Sequence, residues 1–145
     1  MENRFENFTV AILKLNKLIQ KIKLYEMRDY GLKAIHVMCV YYLRTRGELT
    51  ASELSKLTLE DKAAISRAIS FLNEKGFVNY DSNKYNAPIK LTGEGIKVSE
   101  YINRRADSAV NAGGGFLTEE ERINFYFALE LIAKNLKNYY ENLNK

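Results

Sequence analysis

Thr50-Ala51-Ser52-Glu53-Leu54-Ser55-Lys56-Leu57 and, after a turn at Thr58-Leu59-Glu60, Asp61-Lys62-Ala63-Ala64-Ile65-Ser66-Arg67-Ala68-Ile69-Ser70-Phe71-Leu72-Asn73-Glu74-Lys75-Gly76 read as two helices joined by a tight turn. Thr50 is placed to cap the first helix, and Glu53, three residues on, completes a capping box. Asp61 is placed to cap the second. Ile65, Ala68, Ile69 and Leu72 recur at i, i+3, i+4 and i+7, the signature of one buried face. The opposite face carries Lys62, Ala63, Ser66, Arg67, Ser70 and Asn73, small and polar over its first two turns, with two cations and no acid after Asp61.

The flanking segments complete a pattern. Upstream, Leu32 to Leu43 is an apolar helix stopped at Arg46-Gly47. Downstream, Phe77-Val78-Asn79-Tyr80 reads as a short strand, Asp81-Ser82-Asn83-Lys84-Tyr85-Asn86 as turn chemistry, and Pro88-Ile89-Lys90-Leu91 as a returning strand with proline at its edge. Short helices, a polar third helix and then a hairpin make the winged helix-turn-helix order. In that arrangement the third helix enters the major groove of DNA and the hairpin tip lies over the neighbouring backbone or minor groove. Small side chains let such a helix approach the groove floor, and Arg67 can pair bidentately with guanine or clamp a phosphate. Asn83 and Lys84 at the tip, with Lys90 further back, are suited to phosphate or minor-groove contacts.

Both ends of the chain carry a narrow apolar seam. Phe5, Phe8, Ile12, Leu15, Ile19 and Ile22 follow at heptad spacing, as do Phe125, Leu129, Ile132, Leu136, Tyr139 and Leu143. Thr118 and Glu121 offer the second seam a capping box, and Gly113-Gly114-Gly115 ends the helix before it. Packing on each other within one chain is one solution. Packing across a two-fold axis is the one expected, because the middle of the chain has its own core.

Composition narrows the classes. The chain has 145 residues, 46% hydrophobic and 28% charged, with 8 glycines and 1 proline, which suits a mostly α (α+β) globular protein. Its net charge of +4 permits nucleic-acid binding without establishing it, and no segment concentrates that charge. One cysteine forms no internal disulfide, and with one histidine it builds no Cys/His zinc site, so neither metal nor cofactor is expected. Met1-Glu2-Asn3-Arg4-Phe5-Glu6 is acidic and aromatic where a signal peptide would be basic and then apolar. No apolar run approaches the length of a membrane span. The expectation is a cytoplasmic protein with no membrane partner. Phosphate loops, catalytic carboxylate pairs and nucleophile elbows are absent, so no enzyme is expected.

From about Gly47 to Ile96 the chain resembles the MarR family of bacterial transcription regulators. Leu49-Thr50-Ala51-Ser52-Glu53-Leu54 is similar to the family's "LT..EL" opening, and Asp61-Lys62-Ala63-Ala64-Ile65-Ser66-Arg67 to its recognition-helix segment. Leu72-Asn73-Glu74-Lys75-Gly76-Phe77-Val78 and Leu91-Thr92-Gly93-Glu94-Gly95 resemble its helix end and wing exit. The resemblance implies one domain over residues 1–145. Within it a winged helix-turn-helix lobe would span 32–97, with dimerisation helices over 1–24 and 98–145. It implies a homodimer that regulates transcription at a pseudo-palindromic double-stranded DNA operator, as a repressor released by a small-molecule effector. DNA contacts would come from Lys62, Ala63, Ser66, Arg67 and Ser70, with backbone contacts from the helix opened by Ser52. Dimerisation would use Phe5, Phe8, Ile12, Leu15 and Ile19 with Phe125, Leu129, Ile132, Leu136 and Leu143. The wing departs from the family, which usually carries an aspartate followed by arginines; this chain offers Asn83, Lys84 and Tyr85.

Other readings stay open at this stage. A winged helix can serve as a protein-interaction adaptor without reading DNA, although an adaptor would expose acids or large apolar residues where this chain has Lys62, Ser66, Arg67 and Ser70. Cys39 raises a redox-sensing regulator, against the reading of a buried inert thiol in an apolar helix. His36 reads as a satisfied, half-buried histidine. The resemblance also suggests a small aromatic effector, for which Tyr25, Tyr30, His36, Tyr41 and Tyr42 supply material; plain core packing accounts for the same residues.

Overall fold

A computed structural model describes residues 3–143 and 145. Met1 and Glu2, where the leader reading and the 1–24 dimerisation stretch begin, and Asn144, within the expected 98–145 stretch, lie outside the described residues. A π-helical turn, Phe5–Val10, runs into α1 (Ala11–Glu26), followed by α2 (Ala34–Arg46), α3 (Ala51–Thr58) and α4 (Lys62–Glu74). Strands β1 (Val78–Asn79) and β2 (Lys90–Leu91) come next, then α5 (Gly93–Gly114) and α6 (Glu119–Leu143). The order is the winged helix-turn-helix order expected from the sequence. The chain divides into two compact units, one up to Ala106 and one from Asp107.

In the first unit α2, α3, α4 and the start of α5 close over one apolar core. Met27, Leu32, Cys39, Val40, Leu54, Ile65, Ile69, Leu72, Ile89 and Val98 are buried in it. Helix α2 begins later than its apolar run: Leu32 is a core residue in the approach, and Lys33 is the extended residue before the first turn. There the Lys33 amide donates to His36 Nδ1 at 2.9 Å, and the imidazole stacks on Phe71 of α4 with ring centroids 4.5 Å apart. His36 is buried and hydrogen-bonded at a helix start, and burial, reinforced by Lys33, holds its imidazole below its ordinary pKa.

The strands are shorter than the four-residue runs read from the sequence, and a third segment joins them. Val78 pairs with Leu91 and Asn79 with Lys90, antiparallel. Ile89 turns its backbone the other way and exchanges hydrogen bonds with Leu49 (Ile89 N to Leu49 O 2.8 Å, Leu49 N to Ile89 O 3.1 Å). Alternate residues of a strand face alternate neighbours, so β2 becomes central with β1 and Leu49 at its sides. β1 stops at Asn79; the next rung would need an N–H from residue 88, and Pro88 has none.

The N-terminal seam differs in detail from a strict heptad. Phe5 and Phe8 sit on the π turn, where each residue advances less around the axis than heptad spacing assumes. Leu13, Leu18, Leu24 and Tyr25 are exposed as well, so the apolar surface of α1 is wider than one seam. In the second unit Thr118 and Glu121 close their capping box, with Glu121 N on Thr118 Oγ1 at 3.1 Å and Thr118 N on Glu121 Oε2 at 2.9 Å. Phe125, Leu129, Ile132, Leu136, Tyr139 and Leu143 of α6 are all exposed. Among the described residues no helix is long and apolar enough to cross a membrane.

Candidate nucleic-acid interface

Helix α4 is set by its two ends and one face. At its start the Asp61 carboxylate accepts the Ala64 amide at 2.7 Å, satisfying one of the donors a helix leaves free there. Ile65, Ala68, Ile69 and Leu72 are buried, at no more than 2% exposure, which fixes the rotation of the helix about its axis. At its end Gly76 adopts φ +78°, a conformation that favours glycine, and turns the chain into the wing. Lys62, Ala63, Ser66, Arg67, Ser70 and Asn73 consequently line the exposed side together, as the spacing predicted.

The helix before it is held to the same frame. Thr50 Oγ1 accepts the Glu53 amide at 3.2 Å and donates to the Glu53 carboxylate, also at 3.2 Å. The turn from α3 into α4 is tied by Ser55 Oγ, which donates to the Glu60 carbonyl at 2.5 Å, and by Thr58 Oγ1, which donates to the Leu54 carbonyl at 2.7 Å. Leu59 in this turn has φ +63°, left-handed for a residue that ordinarily avoids it, and its side chain is exposed. Ser52 lies half-buried in the first turn of α3.

The wing is anchored at its base by Thr92. Its hydroxyl donates to the Gly76 carbonyl at 2.6 Å and accepts the Gly95 amide at 3.1 Å, while its own amide donates to the Phe77 carbonyl at 3.0 Å. One residue thus joins the end of α4, the root of the wing and the start of α5. Sequence reading placed this threonine in a family-like segment but gave it no role; the signal was a hydroxyl residue ahead of Gly93-Glu94-Gly95 at a helix start. Asn83 and Lys84 sit at the wing tip, whereas Lys90 lies within the ladder opposite Asn79, exposed but well back from the tip.

The acids near this surface are held within their own segments. Asp61 caps α4, and Asp81 accepts the Asn83 amide at 3.0 Å. Glu53 accepts the Thr50 hydroxyl rather than the Thr50 amide, so only the Thr50 half of the expected capping box is made. Among the described residues the ion pairs are Lys23–Glu26 and Lys97–Glu94. Lys62, Arg67, Lys84 and Lys90 take part in neither, so their charge is available to an anion.

The remaining candidates resolve differently. Cys39 is fully buried, and burial, with Glu60 adding to it, pushes its thiol up to about 12. The charged neighbour is therefore an acid, the opposite of what activates a thiol. The aromatic residues considered for an effector do not gather around one cavity: Tyr30 packs edge-on to Phe77 and Tyr101, His36 on Phe71, Tyr41 against Tyr42, and Tyr25 under Arg28. Among the described residues no three His, Cys, Asp or Glu side chains converge as a metal site would require.

No protein-family model matches the chain, and no curated protein does. Solved structures match closely in fold. A MarR transcriptional regulator from Methanosarcina mazei Go1 superposes with a TM-score of 0.87 at 19% identity, over 96% of this chain and 94% of that one. A MarR protein from Peptoclostridium difficile DA00132 gives 0.85 at 20% identity, over 94% and 92%. The MepR protein of S. aureus, solved as a DNA complex, gives 0.76 at 18% identity, over 93% and 99%. At these identities the likeness is one of fold, and the fold is that of the MarR regulators along nearly the whole chain.

Proposed function

We propose that this chain is a homodimeric, sequence-specific, double-stranded DNA-binding transcription regulator. The observation that carries the reading is the exposed face of α4. Its buried stripe and capped start hold Lys62, Ala63, Ser66, Arg67 and Ser70 outward, and among the described residues its cations form no ion pair with an acid. A duplex presents a dense row of phosphates that rewards such cations by counterion release, while Arg67 has the planar fork suited to guanine. Lys84 and Asn83 extend the contact to the neighbouring backbone, with Lys90 behind them. Ser52, at the start of α3, adds a backbone contact. The fold shared with MepR, which was solved with DNA, supports the same reading.

Dimerisation follows from the two apolar faces. α1 and α6 each expose more large apolar side chains than a solvated helix carries, and a second copy of the chain supplies the surface to cover them. A two-fold dimer places two α4 helices on successive major grooves when they stand roughly 34–36 Å apart, so the operator is pseudo-palindromic. The repressor role, and release by a small aromatic effector that alters this spacing, rest on the likeness to the MarR regulators.

The test is a salt-dependent titration against a randomised duplex library with light scattering alongside. Selection of a two-fold-symmetric site by a particle of about twice 16.7 kDa is the expected result. Binding without sequence preference, or no binding at low salt, overturns the reading in favour of a protein-interaction adaptor.

A further inference from the structure

The wing tip carries one side chain that the DNA contacts above leave unused. Tyr85 is fully exposed, at 101%, so its ring touches nothing in its own chain. An aromatic ring on a hairpin normally lies across a neighbour, because leaving it in water forfeits one of the largest apolar burials a side chain can make. Here its position is built. Asp81 ties the near side of the tip, its side chain accepting the Asn83 amide and its carbonyl accepting the Lys84 amide at 3.2 Å. On the far side Asn86 turns through φ +53°, Ala87 is buried, and Ile89 is locked to Leu49. Tyr85 therefore stands on a tip held at both ends.

Its surroundings select the partner. Asn83, Lys84 and Asn86 around it are exposed, polar or cationic, and the nearby acid, Asp81, is turned to its own backbone. An aromatic ring beside a cation and two amides, on the same unit as the cationic face of α4, suits a surface with phosphates outside and stacked rings within. Resting on the DNA-binding reading, we propose that Tyr85 is an aromatic wedge that enters the groove beneath the wing and partly unstacks one flexible base step there. Lys84 anchors the adjacent phosphate. Pyrimidine–purine steps open most easily, so the wedge adds a sequence preference at a position that no hydrogen bond reads.

The experiment uses the full chain and the duplex that the wild type selects. A second set of duplexes varies only the step under the wing, with 2-aminopurine at that step reporting unstacking. Wild type is expected to favour TA or CA there and to raise the 2-aminopurine fluorescence. Tyr85→Ala should lose about tenfold in affinity on the favoured duplex, flatten the preference among steps and abolish the fluorescence rise, with its salt slope unchanged. Tyr85→Phe should keep all three properties. Tyr85→Ala binding as tightly and selectively as wild type overturns the proposal and assigns the ring to a protein partner. An equal loss on every step overturns it too, reducing the ring to a groove-wall contact. Both outcomes leave the DNA reading intact. A wild type that selects no duplex instead overturns that reading, and the wedge falls with it.

Discussion

The α-carbon of Gly95 lies against the carbonyl of Phe77 so closely that a β-carbon there would collide with the carbonyl oxygen and crowd Leu91 Cδ2. Because the obstacle is backbone, no side chain can rotate to make room. Gly95→Ala is expected to lower stability by about 2–3 kcal/mol, by pushing α5 off the root of the wing. Gly93, two residues earlier, has open space where its β-carbon would lie, so Gly93→Ala should be neutral or slightly stabilising. Urea denaturation of both variants checks the contrast; equal effects would mean that the close approach is not what Gly95 supplies.

What the sequence made legible is what depends on neighbours along the chain. Thr50, Asp61 and Thr118 were identifiable as caps because a cap and its amide lie three residues apart. The buried stripe of α4 was legible because four apolar residues repeat within two turns. The pairing of Leu49 with Ile89 was not, since forty residues separate them and Leu49 has no strand around it. The clash that makes Gly95 obligatory is equally non-local. The turn at Thr58-Leu59-Glu60 was legible, but the left-handed conformation of Leu59 within it was not, because leucine rarely adopts one. The π turn at Phe5–Val10 escaped because heptad spacing assumes an α-helical pitch.

His36 predicts how stability depends on pH. Burial, then Lys33, depresses its folded pKa below the ordinary value of 6.5. Below 6.5 the unfolded chain takes up a proton that the folded chain resists, so stability is complete above that pH and falls as pH drops towards the lowered pKa. His36→Gln keeps an acceptor for the Lys33 amide but removes the titration, and should flatten this slope. Urea midpoints between pH 5 and 8 for both proteins provide the check, and parallel curves would remove His36 as the cause.

Cys39 predicts silence towards oxidants. With its thiol pushed up to about 12 and no exposed surface, almost none of it is thiolate at neutral pH. Native protein should react with a thiol reagent only as fast as it unfolds, and mild peroxide should leave DNA affinity unchanged. Rapid modification of the folded protein would restore the redox-sensor reading.

The apolar faces predict assembly state. Ile19 on α1 and Leu136 on α6 are exposed, at 54% and 50%, so an acid at either site does not enter the core of its own chain. Ile19→Asp and Leu136→Asp should each halve the mass seen by light scattering, while the helical circular-dichroism signal is retained. If both variants keep the wild-type mass, the second copy is bound elsewhere.

Arg67 predicts how the duplex is read. Arginine reading a guanine edge and arginine touching phosphate differ in which sequences suffer when it is lost. Arg67 lies at mid-helix on the exposed side of α4 with Ala63, Ser66 and Ser70, whereas Lys62 lies at the first turn; in the proposed DNA-binding reading this sets Arg67 towards the groove floor. Arg67→Ala is therefore expected to cost about 1–3 kcal/mol on the selected operator and to relax the choice of base at one position in each half-site. Lys62→Ala should weaken binding about equally on all duplexes and reduce the salt slope by about one. Titrations of both variants on the operator and on a scrambled duplex, across a range of salt, separate the two. A loss for Arg67→Ala that is uniform across sequences would assign it to phosphate and move base reading to Ser66 and Ser70.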